Sequence, residues 1–201
     1  MKAQQIPGVV GHLEISYQLV DAQRWALLCH PHPLYHGSMH NKVITSCAKA
    51  CVNAGVSWCS FNFRGVGRSE NEYNDLHGAY LDALAVLSWL ELNFCVPSIV
   101  LGFSFGAYIA QQLVILQNLK QAVLIAPGVD KWPFSDYDNS YKCSIIHGSS
   151  DTIAQLSSAV NWVERQKVLP ELVVVDNASH FFHKKLLILQ EIINEILTKD
   201  N

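Results

Sequence analysis

Seven short apolar runs, separated by stretches of helical periodicity, restrict this chain to few architectures. The runs are ISYQLV (residues 15–20), WALLCH (25–30), WCSFNF (58–63), SIVLGF (98–103), AVLIA (122–126), SIIHG (144–148) and LVVVD (172–176). Most are apolar at consecutive positions, so both faces of each strand need cover, as in a parallel sheet flanked by helices. Between them lie NKVITSCAKACVNAG (41–55), AYLDALAVLSWLEL (79–92), GAYIAQQLVILQN (106–118), DTIAQLSSAVNWVERQ (151–166) and FFHKKLLILQEIINEILTK (181–199). In the last, Leu186, Leu189, Ile193, Ile196 and Leu197 recur at helical spacing, while Lys185, Glu191, Asn194 and Glu195 fall on the other side. Strands alternating with helices build βαβ units. The expected fold is therefore α/β, a doubly wound and mostly parallel sheet with helices on both faces. Ligands of such sheets sit outside the carboxyl ends of the strands, so the segments leaving those ends carry the functional information.

With 201 residues, half of them hydrophobic and 15% charged, the chain has material for one well-buried domain over residues 1–201. The formal net charge is -3 and the basic residues are scattered, which argues against nucleic acid or an anionic membrane as partner and favours a small-molecule substrate. No apolar run reaches the roughly 18 residues needed to span a bilayer, and the opening MKAQQIPGVVGHLEISYQ has no signal-like apolar core, so a cytoplasmic location is expected. Cys29, Cys47, Cys51, Cys59, Cys95 and Cys143 form no C-x-x-C pair or zinc spacing and read as small core residues of a reducing compartment.

Residues 98–110, SIVLGFSFGAYIA, place Gly102-Phe103-Ser104-Phe105-Gly106 between a strand and a helix. G-x-S-x-G in that context is the nucleophile-elbow pattern. A serine on so sharp a turn has a strained backbone, and side chains at positions 102 and 106 would collide where strand meets helix. A serine hydroxyl is a weak nucleophile at neutral pH and needs a histidine base oriented by an acid. In chain order Ser, acid, His, the candidates are Asp151 after the strand at 144–148 and His180 before the final helix. Asp130 and Asp176 are rival acids, though Asp176 suits a strand-end turn; His183 is a weaker rival base, and His147 reads as a buried strand-end residue.

The loop after WALLCH holds four histidines, His30, His32, His36 and His40. At this position an α/β hydrolase supplies the second backbone donor of its oxyanion hole. In His30-Pro31-His32-Pro33 the prolines have no N–H, so the backbone N–H groups of His32 and Phe105 are the expected oxyanion donors. His30, His32 and His36 are the alternative metal ligands, but no carboxylate or cysteine lies in the loop to complete a site, and no metal or other cofactor is expected. Asn41 is a candidate helix N-cap.

CHPHPLYHGSMHNKV, FNFRGVGRSE, LGFSFGAYIA, HGSSD and ASHFF run in order over nearly the whole chain. Together they resemble the small, lidless bacterial α/β-hydrolase superfamily proteins that carry H-P-H-P, a later Gly and Met, and N-K after the third strand. The resemblance implies an α/β-hydrolase fold without a cap domain and a triad of Ser104, Asp151 and His180. It implies for Arg64, Gly65, Gly67 and Ser69 a bracing role beside the site. His36 departs from the family pattern, which has glycine there. Only a loop fits into residues 127–142, so an open site is expected. Leu34, Tyr35, Trp132 and Phe134 are candidate substrate contacts; buried packing is the simpler reading of Trp132, Phe134, Tyr137 and Tyr141. The expected activity is hydrolysis of a small carboxylic ester or thioester through an acyl-enzyme. The same residues would serve a peptidase or amidase, and a binding protein without catalysis is the rival from another class.

Overall fold

The computed structural model describes residues 1–199. Eight strands form one sheet: β1 (Lys2–Pro7), β2 (His12–Gln18), β3 (Trp25–Cys29), β4 (Ser57–Phe61), β5 (Ile99–Phe103), β6 (Gln121–Ile125), β7 (Lys142–Gly148) and β8 (Glu171–Val175). Their spatial order is β1-β2-β4-β3-β5-β6-β7-β8. β2 pairs antiparallel with both β1 and β4, and every other pairing is parallel. The helices are α1 (Lys42–Asn53), α2 (Leu76–Asn93), α3 (Phe105–Leu116), α4 (Leu156–Glu164) and α5 (Leu186–Thr198). None of them is long and apolar enough to cross a membrane.

The twofold alternation of the strands divides the apolar residues between two cores. Leu27, Cys29, Leu124 and Ile145 face α2, α3 and α4, packing with Ile109, Leu113 and Trp162. Leu28, Leu101, Val123 and Ile146 face α1 and α5, packing with Val43, Cys47, Leu189 and Ile193. All six cysteines are free thiols, five of them buried. Burial pushes the thiols of Cys51 and Cys143 up to about 12, which makes them packing groups rather than nucleophiles.

The sheet and helix boundaries differ from the periodicity in several places; α4, for one, begins at Leu156 and not at Asp151. β1 has no apolar run: Lys2, Ala3, Gln4 and Gln5 are exposed and Ile6 alone is buried, because this is an edge strand paired on one side. At the opposite edge, β8 leaves Val174 exposed although its sequence looks buried on both faces. The final helix starts at Leu186, not Phe181, because Phe182 and Lys184 have positive φ (53° and 61°) and break the turn before it. Asn41 does cap α1, its side chain accepting the Val43 N–H at 2.9 Å.

The loop after β4 is braced by a buried ion pair. Arg64 Nη2 and Nε donate to the Asp82 carboxylate at 2.7–3.1 Å, and Nη2 also donates to the Gly78 carbonyl at 2.8 Å. A Cβ on Gly78 would stand 2.4 Å from Asn74 Oδ1 and 2.7 Å from Arg64 Nη1, so a side chain there would displace the ends of these two side chains. Ser69 Oγ donates to the Asn62 carbonyl at 2.6 Å and accepts the Glu14 N–H at 2.9 Å.

Candidate active site

Ser104 sits at the turn from β5 into α3 with φ 55° and ψ -113°, a backbone conformation that few non-glycine residues adopt. Contacts on both sides force it there. A Cβ on Gly102 would lie 2.1 Å from the Gly106 carbonyl oxygen, and one on Gly106 would lie 2.1 Å from the Cys29 carbonyl oxygen. The Ser104 N–H donates to the Ile125 carbonyl at 2.8 Å, tying the turn to the end of β6.

Two neighbouring loops converge on this serine. Asp151 follows β7 and His180 follows β8. The loops are held together where the Ser150 N–H donates to the Ala178 carbonyl at 3.0 Å. A Cβ on Gly148 would meet that same carbonyl at 2.3 Å, so glycine is required for the approach. His180 Nδ1 lies 2.7 Å from Asp151 Oδ2, and His180 Nε2 lies 3.1 Å from Ser104 Oγ. A carboxylate can only accept, so the proton of the ring sits on Nδ1 and Nε2 is left to accept from the serine hydroxyl. Burial opposes the charge on Asp151, but hydrogen bonds from His180 and from the Ile153 and Ala154 N–H groups outweigh it, and its pKa lies below the usual carboxylate value.

The rivals lie elsewhere. Asp130 lines a separate surface groove with Asn161 and Arg165, Asp176 is an exposed turn residue, and His183 is exposed in the turn before α5. His147 is fully buried in β7, where burial lowers its pKa.

The histidines of the loop after β3 have distinct surroundings. His30 is fully buried; its Nδ1–H donates to the Pro31 carbonyl at 2.6 Å and its Nε2 accepts the Phe63 N–H at 3.0 Å. The Pro31 carbonyl and the His32 N–H belong to one trans peptide and point in opposite directions, so the His30 ring sets the direction of the His32 N–H. Gly37 packs against the same peptide, where a Cβ would come within 2.0 Å of the Pro31 oxygen. Among the described residues neither the His32 nor the Phe105 N–H has an acceptor. The His32 ring accepts the Leu34 N–H at Nδ1 (3.2 Å) and stacks on Trp132 with centroids 5.3 Å apart. His36 has φ 58° and ψ 25°, the left-handed conformation for which glycine is the favoured residue. Among the described residues no three His, Cys, Asp or Glu side chains gather as a metal site.

Above Ser104 opens a cavity of about 700 Å³, lined by His32, Tyr35, His36, Ser104, Phe105, Lys131, Trp132, Ile153, His180 and Phe181 with Pro31 and Asn41. Tyr35 and Trp132 therefore stand where the sequence reading put them, but Leu34 and Phe134 do not. Leu34 rides on the outside of a short 3-10 turn and is 67% exposed. Phe134 is turned away from the cavity because Gln111 clasps Ser135 on both sides, accepting its N–H at 2.9 Å and donating to its carbonyl at 3.0 Å. Its ring packs instead on Tyr108 and Trp162. Tyr137 and Tyr141 are buried packing residues, and the Tyr137 hydroxyl donates to the Tyr141 carbonyl at 2.9 Å. Phe181, Lys131 and Ile153 escaped the sequence reading; proximity to His180 and Asp151 in the chain was the available signal for two of them.

No family model matches the chain. An uncharacterized protein of Rickettsia prowazekii is 34% identical over 184 residues, covering 86% of this chain and 77% of that protein. Among solved structures, an α/β serine hydrolase homologue from Coxiella burnetii is 34% identical over 98% of this chain and 97% of its own, with a TM-score of 0.92. An α/β serine hydrolase without a lid from Xanthomonas campestris is 31% identical over 98% of this chain and 94% of its own, also at 0.92. With this identity, this coverage and a loop in place of a cap, the chain belongs to the small, lidless α/β serine hydrolases.

Proposed function

We propose that the protein hydrolyses a small carboxylic ester or thioester through an acyl-enzyme formed on Ser104. The observation that carries this reading is the unbroken relay from Ser104 Oγ to His180 Nε2 and from His180 Nδ1 to Asp151 Oδ2, at 3.1 and 2.7 Å. In the first step His180 takes the hydroxyl proton at Nε2 while Ser104 attacks the acyl carbonyl, and Asp151 stabilises the imidazolium that results. The N–H groups of His32 and Phe105 hold the oxygen that becomes negative in the tetrahedral intermediate. His180 then returns the proton to the leaving alcohol or thiol, and water repeats the sequence on the acyl-enzyme. Every group in this scheme comes from the chain, so it calls for no cofactor. The rings of Tyr35, Trp132 and Phe181 give the cavity apolar walls suited to a small acyl or aryl group.

A common acyl-enzyme has a kinetic signature. Butyrate esters of phenol and p-nitrophenol and the thioester of thiophenol, each hydrolysed in added methanol, are expected to partition between butyrate and methyl butyrate in one fixed ratio. A ratio that changes with the leaving group would mean direct attack by water and would overturn the proposal.

A further inference from the structure

The cavity above Ser104 is asymmetric in charge. Among the described residues its lining contains one formal cation, Lys131, and no aspartate or glutamate. Lys131 also differs from an ordinary surface lysine in being held at both ends. At its backbone, the Lys131 and Trp132 N–H groups both donate to the Gly128 carbonyl, at 3.0 and 3.1 Å. At its head, Nζ donates to the Ile153 carbonyl at 2.6 Å. Ile153 is itself anchored, its N–H donating to Asp151 Oδ1 at 2.8 Å. The ammonium is thus fixed to the wall that carries the acid of the relay, and it keeps two N–H donors beyond the one given to Ile153. Among the described residues no carboxylate pairs with it. Lys131 is exposed, but a cation whose position is already set by its hydrogen bond to Ile153 loses less entropy on meeting an anion.

We infer that Lys131 is a specificity-determining residue and that the substrate carries a carboxylate, placed so that Lys131 binds it while the acyl carbonyl lies at Ser104. This rests on the reading of the site as an acyl hydrolase. The carboxylate can stand on the acyl side of the scissile bond, as in a half-ester of a dicarboxylic acid, or on the leaving-group side; the shared chemistry is one anionic group beyond the ester.

Binding tests this without turnover. Two pairs of amide analogues are titrated into the wild type by calorimetry. N-benzylsuccinamate and N-benzylsuccinamide differ in charge on the acyl side, and 4-(butyrylamino)benzoate and 4-(butyrylamino)benzamide differ in charge on the other. The carboxylate member of one pair is expected to bind about fivefold more tightly than its neutral partner, the size of a charge-assisted hydrogen bond discounted for solvent exposure. The pair showing the preference identifies the side. Lys131→Met is expected to abolish the preference and Lys131→Arg to keep it. Equal affinities within both pairs in the wild type, or a preference that survives in Lys131→Met, would overturn the assignment. Failure of the hydrolase reading itself is seen separately, as absence of turnover of neutral p-nitrophenyl butyrate by the wild type.

Discussion

Asp151→Asn is expected to lower kcat on an activated ester by about 10⁴-fold, the scale of losing the correct histidine tautomer in a triad. The local geometry dictates why the loss is so large. Asp151 Oδ1 accepts the N–H groups of Ile153 and Ala154 at 2.8 and 2.9 Å, so in the asparagine variant the carbonyl oxygen must take that position. The amide NH₂ is then left facing His180 Nδ1, where the native carboxylate accepts at 2.7 Å. Facing a donor, the imidazole turns to the tautomer with its proton on Nε2, which cannot take the proton of Ser104. Asp130→Asn, in the separate groove, is expected to leave kcat within twofold of the wild type. Steady-state kinetics on both variants, with folding checked by circular dichroism, decides the matter: a large loss in Asp130→Asn with Asp151→Asn active would place the acid on the wrong loop.

Mild acid is expected to weaken the fold through His30. Burial, only partly offset by the hydrogen bond to the Pro31 carbonyl, lowers its pKa to about 3 in the folded protein, against an ordinary value of 6.5. Between those values the unfolded chain binds a proton that the folded chain does not. Stability therefore falls as pH falls below about 6.5, at up to about 1.4 kcal/mol per pH unit, until the folded-state value near 3 is reached. Protonation of Nε2 also removes the acceptor of the Phe63 N–H. Other groups titrate in the same range, so the informative quantity is the difference from His30→Gln. Urea unfolding at pH 7 should find the wild type more stable than the variant, and at pH 4.5 that advantage should shrink by roughly 2–3 kcal/mol. A gap that does not change with pH would mean that His30 is not held neutral.

Much of this site is readable from residue order alone. The glycines flanking Ser104 follow from the sharp turn, and chain order offers Asp151 over its rivals Asp130 and Asp176 and His180 over His183; the structure brings Ser104, His180 and Asp151 into hydrogen-bonding distance. The use of His30 was not legible, because a ring that bonds the next residue's carbonyl and the N–H of Phe63 in a distant loop leaves no spacing pattern in the sequence. Leu34 and Phe134 look like pocket residues for the same reason that Tyr35 and Trp132 do, being aromatic or apolar and in the right loops. What separates them is the clasp of Gln111 on Ser135 and the outward face of a short 3-10 turn, both long-range or conformational facts. β1 was invisible because an exposed edge strand needs no apolar pattern. His36 was legible as an anomaly, a side chain where the resemblance implies glycine, and its left-handed backbone is one for which glycine is the favoured residue.

The proposed hydrolysis stands on Ser104 being an activated nucleophile. A fluorophosphonate probe incubated with the wild type and with Ser104→Ala, read by intact mass and then by peptide mapping, tests it without any knowledge of the substrate. One adduct per wild-type chain is expected, located on Ser104, and none on the variant. A folded wild type that takes up no probe, or a Ser104→Ala protein that is labelled as readily, would contradict it.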